Sequence, residues 1–204
     1  MIDFDSKARR WDSNPVFVER ARKIAEAIHR RVALDRNMSA LDYGCGTGLL
    51  SFPLKDVLGR ITLKDSSAGM LEVLREKIAE QNVSNMTVRQ ADLTAEPLPD
   101  ERYDLIYSAM TLHHIPDTDK ILQVFHALLN PDGHLCIADL DAEDGSFHGP
   151  EIEVHHGFDR AALTAKAERA GFTDIRFDTV FEIVKETEAG VRAYPVFLLT
   201  ARRA

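Results

Sequence analysis

Leu41-Asp42-Tyr43-Gly44-Cys45-Gly46-Thr47-Gly48 decides the fold, because in it a short apolar run enters three glycines spaced two residues apart. The run at 40–43 has the length of a buried strand, and the residues after the glycines predict a helix. Glycines at such a junction let the backbone turn sharply and bring its amide groups against a ligand, with the helix N-terminus behind them. Position 49 lacks the glycine of a dinucleotide-binding turn, and the Gly-Lys-Ser/Thr of a phosphate-binding loop is absent.

Strand-like and helix-like segments alternate along most of the chain. Further strands are predicted at 60–63, 86–89, 103–107 and 134–138, and helices at 15–32, 49–58, 68–81, 118–129 and 159–170. This alternation implies crossover connections and a parallel sheet covered on both faces. Two last runs, 174–184 and 196–201, are separated by only a polar turn around 186–190, which can join only antiparallel strands. We therefore predict a doubly wound α/β sheet that ends in an antiparallel pair.

The composition limits the possible partners and locations. The chain has 204 residues, is 45% apolar and 28% charged, and carries a formal charge of −8. These values predict one domain and argue against nucleic acid as a partner, because binding phosphates requires a basic face. No apolar run is long enough to insert into a membrane, and Cys45 and Cys136 form no disulfide framework. We expect a cytoplasmic protein.

Two aspartates follow the next predicted strands. Asp65 ends the second strand, where a carboxylate can accept hydrogen bonds from both hydroxyls of a ribose. Asp92 follows the third strand and can accept from an exocyclic amine such as that of adenine. Each has a plainer interpretation, Asp65 as a helix cap and Asp92 as a loop residue. Their coincidence with the glycine turn favours a nucleoside site.

Taken together, these residues resemble the class I S-adenosylmethionine-dependent methyltransferases, closely the small-molecule branch that includes ubiquinone- and menaquinone-pathway enzymes. Asp42 and the glycines match the family's first motif, and the two later acids match its ribose and adenine contacts. The segments 103–106, 112–115, 130–135, 170–172 and 197–202 also agree with it, although Asp132 stands where glycine is commoner. Lys64, before the ribose acid, departs from the apolar residue usual there.

The resemblance implies a fold, a cofactor and a set of site residues. The sheet order should be 3-2-1-4-5-7-6 with strand 7 antiparallel, in a single domain over 1–204 with an N-terminal lid segment at 1–35 and a sheet core at 36–204. S-adenosylmethionine should bind, leaving S-adenosylhomocysteine as product. The expected cofactor contacts are Asp42, Gly44, Gly46, Gly48, Asp65, Ser66, Met70, Asp92, Leu93 and Ser108. A small-molecule acceptor and a monomer or weak homodimer are expected.

The sequence gives fewer indications of the acceptor site than of the cofactor site. A general base is needed only for a protonated acceptor, and His113 and His114, after the fourth strand, are the candidates. His155 and His156 lie in a loop that borders the acceptor in this family. Asp139 and Asp141 suggest a magnesium site, because carboxylates bind this ion. The matching ligand expected after strand four is missing, since Ser108 and Ala109 stand there instead. We therefore predict no metal site.

Aromatic residues near the N-terminus suggest a cover for the site. Phe4 and Trp11 are candidates for a lid over the cofactor, whereas Phe17 is expected in the core. Two other functions remain open from the sequence. One is a non-catalytic protein that binds S-adenosylmethionine or its product, which an acceptor pocket would argue against. The other is a nicotinamide-dependent oxidoreductase, which Leu49 and the antiparallel tail disfavour.

Overall fold

The computed structural model describes residues 3–149, 151–187 and 190–204, and within them seven strands form one sheet. The strands are β1 (Ser39–Tyr43), β2 (Arg60–Asp65), β3 (Met86–Gln90), β4 (Tyr103–Ala109), β5 (Leu129–Leu140), β6 (Phe172–Thr187) and β7 (Gly190–Arg203). Their order is β3-β2-β1-β4-β5-β7-β6. β7 is antiparallel to both of its neighbours, and the other pairs are parallel. The predicted fold class and strand order are confirmed.

Six α-helices flank the sheet: α1 (Ala8–Trp11), α2 (Pro15–Arg31), α3 (Ser51–Leu54), α4 (Ala68–Glu80), α5 (Thr118–Leu128) and α6 (Arg160–Arg169). The longer ones begin where a short polar side chain accepts a hydrogen bond from the first turn. Asn14 caps α2, Ser67 caps α4, Asp117 caps α5 and Asp159 caps α6. These residues fix the start of each helix.

Two separate cores lie on the two faces of the sheet. On one face, Ile24 and Ile28 of α2 pack with Leu71 of α4. On the other, Phe125 of α5 packs with Leu163 of α6. Alternate residues of the central strands supply both cores, as expected for strands buried on both faces.

Several predicted elements differ from the structure in length. β6 and β7 extend beyond the predicted 174–184 and 196–201 at both ends, so that Glu186, Thr187 and Gly190 of the predicted turn belong to strands. The helix predicted at 49–58 is α3, only Ser51–Leu54, because Pro53 has no N–H to donate and turns follow it. β5 starts at Leu129 and includes the predicted turn at 130–133. Asp132 there has φ +64°, a left-handed conformation that glycine adopts without strain. Of the turn predicted at 186–190, residues 188 and 189 lie outside the described residues.

The sheet order reverses between β1 and β4, and their carboxyl ends open a crevice at this point. The glycine turn follows β1, and the 3₁₀ turn Leu112–His114 comes shortly after β4. α2 and β6 contact each other beyond the crevice. In the described parts of the chain, no helix has the length and apolar character needed to cross a membrane.

Candidate functional site

The crevice is a cavity of about 1150 Å³. The glycine turn and the strand ends line one side of it, and α2, the 110–116 segment, the loop after β5 and β6 line the other. We call Asp42, Asp65 and Asp92 the acid end, and His113, His114 and His148 the histidine end; all six line the cavity. Pockets for one drug-sized ligand are about 300–1,000 Å³, so this cavity has room for more than one small molecule.

Two glycines of the turn are packed tightly against neighbouring side chains, and the third has open space beside it. A Cβ added at Gly44 would lie 2.3 Å from Thr111 Oγ1, and one added at Gly48 would lie 2.6 Å from Leu74 Cδ1. At Gly46, which has φ +52°, the nearest atom would be Met70 Sδ at 4.0 Å. Gly46 is therefore the member of the turn that presents an open face to the cavity.

Asp65 is held at the end of β2 by backbone amides. The Gly46 N–H donates to Oδ2 and the Ser67 N–H to Oδ1, each at 2.8 Å. Burial raises the pKa of Asp65, while these hydrogen bonds oppose the rise. A carboxylate oxygen has more than one lone pair, so both oxygens can still accept from the hydroxyls of a ribose.

Asp92 is fixed through one of its two oxygens. Oδ1 accepts from the Thr94 N–H at 2.9 Å and the Thr94 hydroxyl at 2.6 Å. The Tyr43 hydroxyl lies 3.4 Å from the same oxygen. The other oxygen makes no hydrogen bond with the described residues, which leaves it available to a ligand.

Asp42, at the end of β1, is only 1% exposed. The Ser51 hydroxyl donates to Oδ2 at 2.6 Å and also contacts the Tyr107 hydroxyl at 2.6 Å. Burial raises the pKa of Asp42 to about 7, with the charge of Asp65 adding to the rise. The acid end therefore favours a cationic ligand, which would relieve this repulsion.

Seven of the ten predicted cofactor contacts line the cavity, among them Ser66 and Met70, and Gly48, Leu93 and Ser108 do not. Gly48 packs against α4, and the Leu93 amide hydrogen-bonds to the Tyr43 hydroxyl. The Ser108 hydroxyl donates to the Tyr43 carbonyl at 2.8 Å and so ties β4 to β1. Lys64 also faces away from the cavity, because it is 4% exposed and donates to Glu101 at 2.8 Å.

The two predicted base candidates both lie at the histidine end. His113 is 2% exposed, and its Nδ1 lies 2.7 Å from Asp139 Oδ1. Burial opposes the ionised form of Asp139, but the charge and hydrogen bonds of His113 keep the pKa of Asp139 below its ordinary value. Because this carboxylate accepts, Nδ1 carries the hydrogen, and Nε2 is the ring nitrogen directed at His148 and the cavity.

His148 completes the histidine end. Its Nε2 lies 3.0 Å from His113 Nε2. Burial and the neighbouring imidazoles lower the pKa of His114 to about 3, and burial and the His113 charge lower that of His148 to about 4. Both rings are therefore neutral near pH 7. The ligating nitrogens of all three lie within 4.8 Å of one another, near the spacing of ligands around one metal ion.

Asp139 and Asp141, the carboxylates that suggested a magnesium site, form hydrogen bonds with other residues of the protein. Asp139 is fully buried against His113, and Asp141 accepts two hydrogen bonds from Arg160 at 2.7 Å. Neither lines the cavity, nor do His155 and His156. In the described parts of the chain, the carboxylate that reaches the histidine end is Asp139, through its hydrogen bond to His113.

The N-terminal aromatic residues lie over the cavity. Phe4, Trp11 and Phe17 all line it, and the Trp11 and Phe17 rings are 4.6 Å apart. The expectation that Phe17 belongs to the core is wrong. Phe17 is half-exposed because its α2 face looks across the cavity instead of onto the sheet.

Among the lining residues that sequence reasoning missed are Arg20 and His148. The sequence does contain a pattern that could have identified Arg20 as a site residue. Arg20 stands at helical spacing with Ile24 and Ala27 on the buried face of α2, and a charged residue at such a position indicates a function or a buried pair. His148 lies in an irregular loop with no periodicity to locate it.

The strand order is that of the class I methyltransferases that the sequence resembles. The model of the methyltransferase domain family matches residues 34–163, well over half of the chain. The chain belongs to this family.

Several curated methyltransferases are similar in sequence. An uncharacterized methyltransferase of Schizosaccharomyces pombe is 33% identical over 143 residues, covering 67% of this chain and 49% of that protein. A ubiquinone/menaquinone biosynthesis C-methyltransferase of Pectobacterium carotovorum is 33% identical over 106 residues, covering 50% and 42%. The chain therefore spans half or less of the length of these relatives.

Solved structures share the fold. A SAM-dependent methyltransferase from Aquifex aeolicus aligns over all of both chains, with a TM-score of 0.72 and 23% identity. Phosphoethanolamine N-methyltransferase 2 of Haemonchus contortus, in complex with S-adenosyl-L-methionine, has a TM-score of 0.72 and 16% identity over all of this chain and 60% of that one. At these identities the likeness concerns the fold.

Proposed function

We propose that this chain transfers a methyl group from S-adenosylmethionine to a small-molecule acceptor. The observation that carries the proposal is the single cavity of about 1150 Å³ joining the acid end to the histidine end. Its size accommodates a cofactor and an acceptor together. An open acceptor side favours turnover over mere sensing of the cofactor.

The acid end would hold the cofactor. Asp65 would accept from the ribose hydroxyls, Asp92 from the adenine amine, and Gly46 would let the backbone approach closely. Asp42 would favour the cationic amino-acid part. When bound, S-adenosylmethionine supplies a methyl group already activated by its sulfonium, so the chain mainly has to align the acceptor for in-line displacement and exclude water.

The histidine end would receive the acceptor. His113 Nε2 is the atom that would take up a proton from an acceptor hydroxyl, amine or activated carbon acid. Asp139 would act as a positioning residue, since its hydrogen bond to Nδ1 keeps the lone pair of Nε2 directed at the cavity. His148, in contact with Nε2, is placed to pass the proton on.

We also propose a single domain over 1–204 in which residues 1–35 form an N-terminal segment made of a lid and the helix α2, with the lid in the part before α2. The described part of this segment is tied to α4, because Asp12 pairs with Lys77 at 2.5 Å and Arg9 with Glu76 at 2.9 Å. Lys77 also donates to the Thr47 carbonyl at 2.8 Å. Movement of the lid would therefore be coupled to the glycine turn.

The test is calorimetric titration of the purified chain with S-adenosylmethionine, S-adenosylhomocysteine and NADH. Binding of the first two alone is expected. An acceptor screen would follow, with methyl transfer detected as formation of S-adenosylhomocysteine. Binding of NADH alone, or of none of the three, would contradict the proposal.

A further inference from the structure

Arg20 is a buried charge without a partner. Its side chain lines the cavity and the residue is 9% exposed. The guanidinium makes no hydrogen bond or ion pair with any residue that the structure describes. Its one close neighbour is the Phe17 ring, whose centre lies 5.0 Å from Cζ.

The Arg20 guanidinium is largely, but not completely, removed from water. Arginine stays protonated in proteins. Among the described residues, Arg202 Nε is the unpaired side-chain atom that is cut off from solvent, so the Arg20 nitrogens still face the cavity, where burial has removed much of their hydration. Burial lowers the pKa of Arg20 to about 10, although the charge of Asp139 opposes the shift. Contact with an aromatic ring offsets only part of such a penalty.

The described chain supplies no anion for this site. Asp139 acts on Arg20 only at a distance, since both of its oxygens accept hydrogen bonds from His113. The acids that line the cavity are Asp42, Asp65 and Asp92, all at the acid end. Among the described residues, therefore, no counter-charge reaches Arg20, and a ligand in the cavity can supply it.

We propose that Arg20 binds a carboxylate of the methyl acceptor, an inference that rests on the proposed function. The guanidinium presents paired N–H donors that match the two oxygens of a carboxylate. Lys7 and Lys185, which also line the cavity, act on His148 as further positive charges. Phe17 and Phe147 line the same space, which suits an aromatic acid.

Arg20 could instead bind the carboxylate of the methionine part of S-adenosylmethionine. The position of Arg20 favours the acceptor. Among charged groups, Asp139 is the one that affects Arg20, and Asp139 is the partner of His113.

The experiment compares benzoate with its neutral analogue benzamide, titrated into protein saturated with S-adenosylhomocysteine. Wild type is expected to bind benzoate at least about tenfold more tightly than benzamide. Arg20→Met should remove that preference, whereas Arg22→Met, on the exposed face of α2, should keep it. Equal binding of benzoate and benzamide to wild type, or an unchanged preference in Arg20→Met, would overturn the proposal.

A second arm identifies the source of the carboxylate. S-adenosylhomocysteine and 5′-methylthioadenosine, which lacks the amino-acid part, are titrated into wild type and Arg20→Met. Equal affinities in the two proteins are expected. Loss of S-adenosylhomocysteine binding alone in the variant would assign Arg20 to the cofactor and overturn the proposal. If neither nucleoside binds wild type, the proposed function fails; benzoate and benzamide are then titrated into the ligand-free protein, and the same preference decides whether Arg20 binds a carboxylate.

Thermal unfolding without ligand gives an independent readout. Methionine has a similar length to arginine and removes the uncompensated charge, so Arg20→Met should unfold at a higher temperature than wild type. A lower midpoint would mean that Arg20 has a partner within the protein, and would contradict the proposal.

Discussion

The acid end of the cavity is built from residues at the ends of three neighbouring parallel strands, whereas the histidine end is built from separate segments. Asp42 lies near the end of β1, Asp65 ends β2, and Asp92 follows β3. His113 comes from a 3₁₀ turn and His148 from the loop after β5. Arg20, beside them, comes from α2. The difference indicates that cofactor chemistry is set by the fold itself, while acceptor chemistry is set by elements that can vary without changing the sheet.

The largest expected effect is on kcat, and it distinguishes the role of the histidine end from that of the acid end. With an acceptor from the screen, His113→Ala should lower kcat roughly 100- to 10,000-fold, the range for loss of a general base. Its affinity for S-adenosylhomocysteine should stay close to that of wild type. Steady-state kinetics and calorimetry on the same preparation measure both.

A positioning variant serves as the control for this experiment. Asp139→Asn should lower kcat less than His113→Ala and shift the pH profile of kcat, because the tautomer of His113 is then no longer fixed. Unchanged kcat in His113→Ala would remove the histidine end from the chemistry.

The next effect tests the acid end. Asp65→Ala should weaken binding of S-adenosylhomocysteine roughly 100-fold or more, because two hydrogen bonds to a charged group are lost. Circular dichroism should show an intact fold. Asp56→Ala, at an exposed aspartate paired with Lys55, should bind normally. An affinity for Asp65→Ala equal to that of the control would mean that the nucleoside lies elsewhere.

A smaller effect distinguishes binding from packing within the glycine turn. Gly46→Ala should cost about 1 kcal/mol of stability through strain at φ +52° and weaken cofactor binding by about tenfold, since the new methyl group enters the open face of the cavity. Gly48→Ala, at φ +80°, should leave binding unchanged and destabilise the fold more, by about 3 kcal/mol, because overlap with Leu74 adds to the same strain. Calorimetry and denaturant unfolding of both variants check this division. The reverse pattern would show that Gly48, not Gly46, faces the ligand.

The sequence predicted the sheet and the acid end because both follow from local pattern. Strand ends in an alternating chain must meet at one edge, so Asp65 and Asp92 could be placed near Gly46 without coordinates. The same logic located His113 and His114 after β4, but it could not pair His113 with Asp139 or bring in His148. Those contacts depend on the path of a loop and on the tilt of α2, which no periodicity encodes. The short α3 and the half-exposed Phe17 were missed for similar reasons.

The smallest expected effect compares the two ends by their response to pH. The folded-state pKa of His148 is lowered to about 4 from 6.5, so between these values the unfolded chain binds a proton that the folded chain refuses. Stability is therefore lost as pH falls from about 6.5 toward 4. His148→Gln should reduce this loss by about 1 kcal/mol, a value discounted because the ring is half-exposed.

Asp42 at the acid end should behave in the opposite way. Its folded-state pKa is raised to about 7 from 3.8, so between these values the folded chain holds a proton that the unfolded chain has released. Wild type should therefore gain stability relative to Asp42→Asn as pH falls from 7 to 4. Denaturant unfolding of the three proteins at pH 4, 5.5 and 7 measures both slopes. Slopes of the same sign for the two ends would contradict the electrostatic contrast, since it requires a carboxyl that resists ionising at one end and imidazoles that resist protonation at the other.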